Sequence, residues 1–273
     1  MVFRSLKERS DLKEIGRTGE KVSAIGLGTW DIRDYSKAEE ALIYAVELGL
    51  NLIDTAEMYD AGRAEELVGQ VARRVGKDRV FITTKLLPDH FKSRDDAIKA
   101  ARASLRRLGL EIVDLILIHW PLRYLPIEFQ VKNLEAIAEA GLTRYIGVSN
   151  FTVKELKAAL ESTKKHSIVV NQVKYSVLDR EVEKELLPFC VSEGITVQAY
   201  TPLERGLVAK NQTLAEIGRK YNRTPVQVAL NYLILHERVV AIPKTEKKPR
   251  VKEFKEAMGW RLRPEDVAVL KGL

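Results

Sequence analysis

The sequence has little cysteine and little histidine. Its 273 residues include one cysteine, Cys190, and four histidines. One cysteine cannot form an intramolecular disulfide, which excludes the small secreted domains that disulfides stabilise. Only His119 follows a predicted strand, and Cys190 lies in a predicted helix, so no zinc-type ligand set is recognisable. The sequence therefore predicts no metal site and a protein of a reducing cytoplasm.

Long hydrophobic runs are also missing. Apolar runs such as Leu115–Ile118 are far shorter than the roughly 18 residues that a membrane-spanning helix needs. The segment Met1–Glu14 is charged and lacks the apolar core of a secretory signal. Because 45% of the residues are hydrophobic, the composition is nonetheless typical of a folded chain and not of a disordered one. We expect a cytoplasmic protein with no membrane partner.

The excess of positive charge is modest. The chain has 45 basic and 38 acidic residues, a net charge of +7. Their interspersion favours a solvated, ion-paired surface, and the alternative is a site for an anionic ligand or nucleic acid. The densest basic stretch, Lys244–Lys255, also carries Glu246 and Glu253, which disfavours nucleic acid. Asparagine and glutamine together number only 13, as is typical of thermophile proteins.

Short apolar runs alternate with helical patterns along the chain. These runs are short and rich in β-branched residues, as expected of strands that are buried on both faces. Amphipathic stretches between them often end at glycine. The predicted strands are Val22–Leu27, Leu50–Ile53, Val80–Thr84, Leu115–Ile118, Tyr145–Val148, Ile168–Val173, Thr196–Tyr200 and Val239–Ile242. The predicted helices are Ser36–Leu48, Arg94–Leu108, Ile127–Ala140, Val153–Leu160, Val182–Glu193 and one from Pro225 through Leu235.

Eight strands that alternate with helices in a chain of this length predict an α/β fold, a (β/α)8 TIM barrel, as a single domain over residues 1–273. The turn signal Gly16–Gly19 predicts a hairpin ahead of the barrel. The alternative is an open doubly wound sheet. It is disfavoured because no strand is followed by Gly-x-Gly-x-x-Gly; Gly26-Leu27-Gly28 continues instead to Asp31.

Polar residues follow most of the predicted strands. In a barrel, the carboxyl ends of the strands meet on one face, where active sites form. Any single residue of this kind is readily explained as a solvated strand end, but the whole set on one face favours a functional site. These residues are Asp54 with Tyr59, Lys85, His119 with Trp120, Ser149 with Asn150, Asn171 with Gln172, Tyr200 with Thr201, and Lys244 with Thr245.

The residue types in this set indicate proton transfer beside a carbonyl or an alcohol. A lysine at the barrel mouth needs a partner, and Asp54 is a candidate for Lys85. A lysine beside a tyrosine favours the phenolate, so Lys85 is expected to lower the pKa of Tyr59 from about 10. A neutral His119 can orient a carbonyl. Neither a Gly-x-Ser-x-Gly nucleophile motif nor a carboxylate pair at the strand ends is present.

The motifs at the strand ends resemble those of the aldo-keto reductases, in order from about residue 12 to the C-terminus. The likeness is strongest to alcohol dehydrogenase or carbonyl reductase types from archaea and other thermophiles. The segments that carry it are Gly26–Trp30, Leu52–Tyr59, Thr84-Lys85, His119–Pro121, Ile146–Phe151, Asn171-Gln172, Ala199–Leu203 and Ile242–Thr245.

This resemblance implies interconversion of carbonyls and alcohols with a nicotinamide cofactor. Tyr59 would be the general acid, tuned by Asp54 and Lys85, with His119 orienting the substrate. Trp30, Leu87 and Trp120 would line the substrate pocket. Tyr200 would stack on the nicotinamide, and its carboxamide would be held by Ser149, Asn150 and Gln172. Thr201 and Leu203 would lie along the pyrophosphate. The adenosine 2′-phosphate would face Lys244, Thr245 and Arg250, and the adenine would face Glu253. Further implied cofactor contacts are Thr29, Trp30, Pro202 and Ile242.

The sequence departs from the family at three places. Phe254 stands where many members have an asparagine beside the residue that contacts adenine. The loop after His119 is short, and the chain ends at Leu273 without the family's long C-terminal loop. We therefore expect short substrate loops, an open pocket and broad selectivity.

Cofactor choice is a question of charge. Lys244 and Arg250 can neutralise the 2′-phosphate of NADP(H), which favours that cofactor. Glu246 would oppose the phosphate if it points inward, and so would permit NAD(H). A barrel of this type could instead serve as a subunit that only senses the cofactor; activity that depends on Tyr59 would distinguish the two. We expect a monomer, or at most a weak oligomer, that acts on a small-molecule substrate.

Overall fold

An N-terminal hairpin precedes the main sheet, as predicted. The structure is a computed structural model that describes residues 11–273. Strands β1 (Leu12–Glu14) and β2 (Lys21–Ser23) pair antiparallel. The predicted single domain begins with residues 1–10, which lie outside the described residues.

Eight parallel strands form the predicted barrel. They pair in chain order from β3 to β10, and each neighbouring pair is parallel. Backbone N–H groups of Gly26 and Gly28 donate to the carbonyls of Ala241 and Pro243, which joins the first strand to the last. The strands are β3 (Leu27–Gly28), β4 (Leu52–Asp54), β5 (Phe81–Leu86), β6 (Val113–Ile118), β7 (Thr143–Ser149), β8 (Ile168–Lys174), β9 (Thr196–Tyr200) and β10 (Val239–Ala241).

Helices surround the barrel. Those the sequence predicted are α1 (Tyr35–Glu47), α3 (Arg94–Leu108), α4 (Ile127–Glu139), α5 (Val153–Ser162), α6 (Leu186–Glu193) and α8 (Pro225–Ile234). The structure also contains α2 (Arg63–Val75), α7 (Gln212–Tyr221), α9 (Lys248–Lys255) and α10 (Pro264–Leu270). In α9 only Val251 and Phe254 are buried, so its many charges conceal the apolar stripe in the sequence.

Three predicted boundaries are wrong for local reasons. The run Val22–Leu27 is divided between two sheets, because β2 pairs with the hairpin and β3 with the barrel. The helix predicted from Ser36 begins at Tyr35 instead, because Asp34 caps it with a side chain that accepts from the Lys37 N–H. Helix α6 begins close to Pro188, because proline is tolerated in a first helical turn, where its missing N–H is not needed.

Two apolar clusters flank the barrel wall. The inner cluster fills the barrel with side chains such as Leu52, Leu115 and Val170, and the hairpin region adds Ile15 and Val22 to it. The outer cluster lies between the strands and the helices. Within residues 11–273, no helix is long and apolar enough to cross a membrane.

Candidate active site

Four of the predicted residues come together at the carboxyl ends of adjacent strands. Asp54 ends β4, Lys85 lies in β5, and His119 directly follows β6. Tyr59 begins a short 3₁₀ turn after β4. Neighbouring parallel strands bring residues that are far apart in sequence onto one face of the barrel.

The Lys85 ammonium is the centre of this group. Its Nζ donates to Asp54 Oδ1 at 2.7 Å, to the Thr55 carbonyl at 2.8 Å and to the Tyr59 hydroxyl at 3.0 Å. The Lys85 side chain is fully buried. An ammonium has three hydrogens, so all of them are engaged, and the Tyr59 oxygen is fixed as an acceptor.

Asp54 is held in turn by the neutral amide of Gln172. Its Oδ2 accepts from Gln172 Nε2 at 2.7 Å, and the same nitrogen donates to Gln198 Oε1 at 2.9 Å. Gln198 Nε2 lies 3.3 Å from the Thr83 hydroxyl. This network spans β4, β5, β8 and β9 inside the barrel, and it compensates for the burial of a charged pair.

Burial governs the protonation of Tyr59. Loss of water raises its pKa, and the opposing charge of Lys85 does not outweigh that effect. The prediction that Lys85 brings the pKa of Tyr59 below 10 is therefore wrong: in the folded protein this pKa is raised. Burial lowers the pKa of Lys85, but Asp54 and Tyr59 raise it above its usual value overall. Tyr59 is thus a neutral phenol beside a permanent cation.

His119 is held as a neutral imidazole. Burial, with a contribution from the Lys85 charge, lowers its pKa to about 2. Its ring stacks on Trp120 at 3.9 Å and meets the Tyr59 ring edge-on, with the centroids 5.9 Å apart. Its Nδ1 is buried with no hydrogen-bond partner among residues 11–273.

A second polar cluster adjoins His119. Tyr200 donates its hydroxyl to Asn150 Oδ1 at 2.9 Å, and Asn150 Nδ2 donates to Ser149 Oγ at 3.1 Å and to the His119 carbonyl at 3.2 Å. The Ser149 hydroxyl donates to the Gln172 carbonyl at 2.8 Å. The structure therefore brings together four of the residues predicted to surround the nicotinamide.

Backbone strain is concentrated on this face. Among residues 11–273, eight residues other than glycine have a positive φ. Seven of them lie in loops that follow barrel strands, and Asn222 caps a helix. Such conformations are costly and tend to be kept at functional sites. The seven are Asp31, Asp60, Ala61, Asn150, Thr201, Glu204 and Arg205.

The chain matches known proteins over nearly its whole length. The model of the Aldo/keto reductase family matches residues 24–273. A methylglyoxal reductase of Escherichia coli is 34% identical over 256 residues, which cover 90% of this chain and 89% of that protein. A glyoxal reductase of Bacillus subtilis is 33% identical over 257 residues, with coverages of 93% and 90%.

Solved structures agree with this match. A thermostable aldo-keto reductase in complex with the inhibitor epalrestat has a TM-score of 0.89 at 39% identity, covering 96% of this chain and 98% of that one. An aldo/keto reductase from Klebsiella pneumoniae, in complex with NADP and acetate, has a TM-score of 0.89 at 32% identity, with coverages of 96% and 95%.

The chain belongs to the aldo/keto reductase family.

In this aldo-keto reductase, further predicted cofactor and substrate residues follow the strands on the same face of the barrel. Thr29 is buried and donates its hydroxyl to the Asp54 carbonyl at 2.9 Å. Trp30 and Trp120 are 48% and 39% exposed, and the Arg205 guanidinium lies 5.1 Å from the centre of the Trp30 ring. Leu87, Thr201 and Leu203 are partly exposed, and Pro202 and Ile242 are buried.

The residues predicted to meet the adenosine have partners within the chain. Lys244 pairs with Glu246, and Arg250 pairs with Glu253. Glu253 also accepts from the Thr224 hydroxyl at 2.7 Å, and the Thr245 hydroxyl accepts from the Lys247 N–H at 3.1 Å. Phe254 is 2% exposed in the outer apolar cluster, so its side chain faces the core.

An ionic cluster of Arg107, Glu57 and Glu65 lies next to the turn that carries Tyr59, and it was not predicted from the sequence. Arg107 of α3 donates through Nε to Glu65 of α2 at 2.6 Å, and its Nη2 lies 3.7 Å from Glu57. Glu57 also accepts from the Leu87 N–H at 2.6 Å and from His90 Nε2 at 3.1 Å. The signal in the sequence is Glu65, which lies on the apolar stripe of α2 at helical spacing and is fully buried. A buried carboxylate requires a partner.

Proposed function

We propose that this aldo-keto reductase interconverts aldehydes or ketones and alcohols, with Tyr59 as the proton donor in the reducing direction. The observation that carries this proposal is the hydrogen bond from Lys85 Nζ to the Tyr59 hydroxyl, 3.0 Å long. Because the Tyr59 oxygen accepts this bond, its own hydrogen is directed to another acceptor. A substrate carbonyl oxygen is such an acceptor. A bound nicotinamide cofactor supplies the hydride.

Lys85 and Asp54 support the proton transfer. Tyr59 carries its proton before the reaction, because burial keeps its pKa high. When the proton leaves, a phenolate forms 3.0 Å from the Lys85 ammonium. A preorganised cation in a site from which water is excluded stabilises developing negative charge. Asp54 keeps that cation in place through its 2.7 Å bond.

His119 and the exposed aromatic side chains are proposed to position the substrate. A neutral imidazole donates or accepts a hydrogen bond without adding charge. Trp30 and Trp120 present their partly exposed rings at the rim. The proposed pocket is open, which fits the short loop between β6 and α4.

The cluster of Ser149, Asn150, Gln172 and Tyr200 is proposed to hold the nicotinamide end of the cofactor. Hydroxyl and amide groups are suitable partners for a carboxamide. Thr29, Trp30, Thr201, Pro202, Leu203 and Ile242 are proposed to follow the cofactor along the rim. We propose NADP(H) as the preferred cofactor, since the Klebsiella pneumoniae relative is described in complex with NADP.

The names of the relatives indicate which substrates should be assayed first. The Escherichia coli and Bacillus subtilis proteins are named methylglyoxal reductase and glyoxal reductase. Small 2-oxoaldehydes should therefore be assayed. Simple aldehydes, ketones and alcohols should be assayed beside them, because the sequence predicts alcohol dehydrogenase or carbonyl reductase activity. Cytoplasmic location, a monomeric state and a thermophilic origin stay predictions from composition.

Replacement of Tyr59 by phenylalanine tests this function. Tyr59→Phe removes the donated proton, so kcat/KM for carbonyl reduction should fall at least about 100-fold. NADPH binding, measured by quenching of tryptophan fluorescence, should change less than about twofold, because the hydroxyl is assigned to the substrate. Tyr145→Phe is the control, because Tyr145 is a partly buried residue that packs against the inner cluster. Turnover by Tyr59→Phe at the wild-type rate would contradict the proposal.

A further inference from the structure

The basic stretch Lys244–Lys255 is largely neutralised by carboxylates. Four of its cations have an acidic partner, so its many lysines do not form a surface of high positive charge. A phosphate that approaches Lys244, Lys248, Arg250 or Lys252 therefore meets an ion pair and not an unpaired cation. The pairs are Lys244–Glu246 at 2.5 Å, Lys248–Glu40 at 3.0 Å, Lys252–Glu256 at 4.0 Å, and Arg250–Glu253.

Glu246 is the most firmly held carboxylate of the four pairs. Its Oε1 accepts from the Arg33 N–H at 2.9 Å and from Lys244 Nζ at 2.5 Å, and its Oε2 accepts from the Asp34 N–H at 3.1 Å. Lys244 Nζ also donates to the Asp31 carbonyl at 2.6 Å. The Glu246 side chain is 14% exposed. The Lys244 ammonium therefore donates two hydrogen bonds within the chain.

Glu246 carries its negative charge at neutral pH. Burial by itself would raise the pKa of its carboxyl, but the hydrogen bonds from Lys244 and from the backbone N–H groups hold it below the usual value. The Lys37 ammonium lies near enough to be affected by the charge of Glu246, but it pairs with Asp34 at 2.8 Å. The negative charge beside Lys244 is thus a fixed feature of the fold.

We propose that Glu246 is a specificity-determining residue, which weakens binding of the 2′-phosphate of NADP(H) and so allows NAD(H) to be used as well. This inference rests on the proposed function and on the family resemblance of the sequence, which implies that the 2′-phosphate lies beside Lys244 and Arg250. A phosphate must share Lys244 with a carboxylate 2.5 Å away or displace that carboxylate from two N–H groups. Either event weakens binding of the phosphorylated cofactor alone, because NAD(H) places no phosphate there.

A purely structural role for Glu246 makes a different prediction. Glu246 ties the loop Asp31–Asp34 and the start of α1 to the region after β10. If that tie were its whole contribution, its loss would lower stability and weaken both cofactors by the same factor. The ratio of the two affinities therefore separates the two roles.

Calorimetric binding of two probes tests the proposal. We would titrate 2′,5′-ADP and 5′-ADP into the wild-type protein, Glu246→Gln and Glu246→Ala. Both variants remove the charge, so the affinity for 2′,5′-ADP relative to 5′-ADP should rise about tenfold in each. Steady-state kcat/KM with NADPH relative to NADH should rise by the same factor.

The control is Glu135→Gln. Glu135 also accepts from backbone N–H groups, those of Lys164, Lys165 and His166, but these precede β8 at the opposite end of the barrel. The probe ratio should therefore stay within about twofold of the wild type in this variant.

Two outcomes would overturn the inference and leave the proposed function intact. One is a probe ratio that stays within about twofold of the wild type, or falls, in both Glu246 variants. The other is a wild-type preference for 2′,5′-ADP above about a thousandfold, as unpaired cations would give. If the wild-type protein bound neither probe and used neither cofactor, the proposed function would fail as well.

Discussion

At the scale of single residues, burial decides which groups are charged. Tyr59 and His119 are both neutral for this reason, although Lys85, beside them, stays an ammonium. The difference is that Lys85 has a carboxylate at 2.7 Å. The Nδ1 of His119 has no hydrogen-bond partner in the described part of the chain.

The neutral state of His119 should appear in the pH dependence of stability. Its pKa is about 2 in the folded protein against 6.5 as the ordinary value. Between these values the unfolded chain takes up a proton that the folded protein excludes, so stability falls as pH falls below 6.5. From pH 7 to pH 5 this group alone should remove about 2 kcal/mol from the free energy of unfolding.

Urea unfolding of the wild type and of His119→Gln at both pH values measures this effect. The variant should lose about 2 kcal/mol less than the wild type between pH 7 and pH 5, whatever its absolute stability. His236, whose pKa is lowered to about 4 by burial, contributes equally to both proteins and cancels. Equal pH slopes for the two proteins would contradict a lowered pKa, because they would show that folding does not change the uptake of protons by His119.

At the scale of elements, Arg107 of α3 packs against the turn that carries Tyr59. Arg107 pairs with Glu65, which follows the turn, and lies 3.7 Å from Glu57, which precedes it. Between them Gly62 has a φ of +93°, and a Cβ there would lie 2.4 Å from Arg107 Cδ. Glycine is therefore required for the close approach of this turn to Arg107.

Replacement of Arg107 by methionine should destabilise the protein strongly. It leaves the fully buried Glu65 carboxylate with the Thr84 hydroxyl, at 2.6 Å, as its remaining donor in residues 11–273. An uncompensated buried charge costs about 3–5 kcal/mol. Urea denaturation at pH 7 should reveal a loss of that size for Arg107→Met.

Two further variants distinguish charge from packing at Arg107. Arg106→Met, at the exposed neighbouring position of α3, should change the free energy of unfolding by less than about 0.5 kcal/mol. Adding Glu65→Gln to Arg107→Met removes the unpaired charge and should restore about 1–3 kcal/mol. A double variant no more stable than Arg107→Met would refute the electrostatic explanation.

At the scale of the whole molecule, the hairpin and the candidate active site lie at opposite ends of the barrel. The hairpin region contributes Ile15 and Val22 to the inner apolar cluster. The Gly16 N–H donates to the Thr196 hydroxyl at 2.9 Å, at the start of β9. The catalytic candidates lie at the carboxyl ends of the strands. The hairpin therefore closes the end of the barrel away from the active site.

Truncation of Ile15 should lower the stability of the protein and leave catalysis unchanged. Ile15→Ala leaves a cavity in the inner cluster and should cost about 2–5 kcal/mol of unfolding free energy. At a temperature where the variant is folded, kcat should stay within about twofold of the wild type. Leu12→Ala is the control, because Leu12 is 44% exposed. A loss of kcat in step with stability would indicate that the two ends are coupled.

The order of the strands and the positions of the candidate catalytic residues follow from the sequence alone. Short apolar runs followed by Asp54, Lys85 and His119 predict a parallel barrel with a polar face, because parallel strands carry their carboxyl ends to one side. The same reasoning misses α9, whose charges hide its apolar stripe, and the cluster around Arg107, which joins residues from three separate segments.

Only the tertiary structure decides charge states and partners. The rise in the pKa of Tyr59 depends on how deeply it is buried, and the sequence contains no measure of that depth. The bond from Gln172 to Asp54 and the bond from the Arg33 N–H to Glu246 join residues more than a hundred positions apart. Residue types and their spacing thus determine which groups are present on the catalytic face. Desolvation and through-space distance, which arise only when the chain closes into a barrel, determine their charges and what they bind.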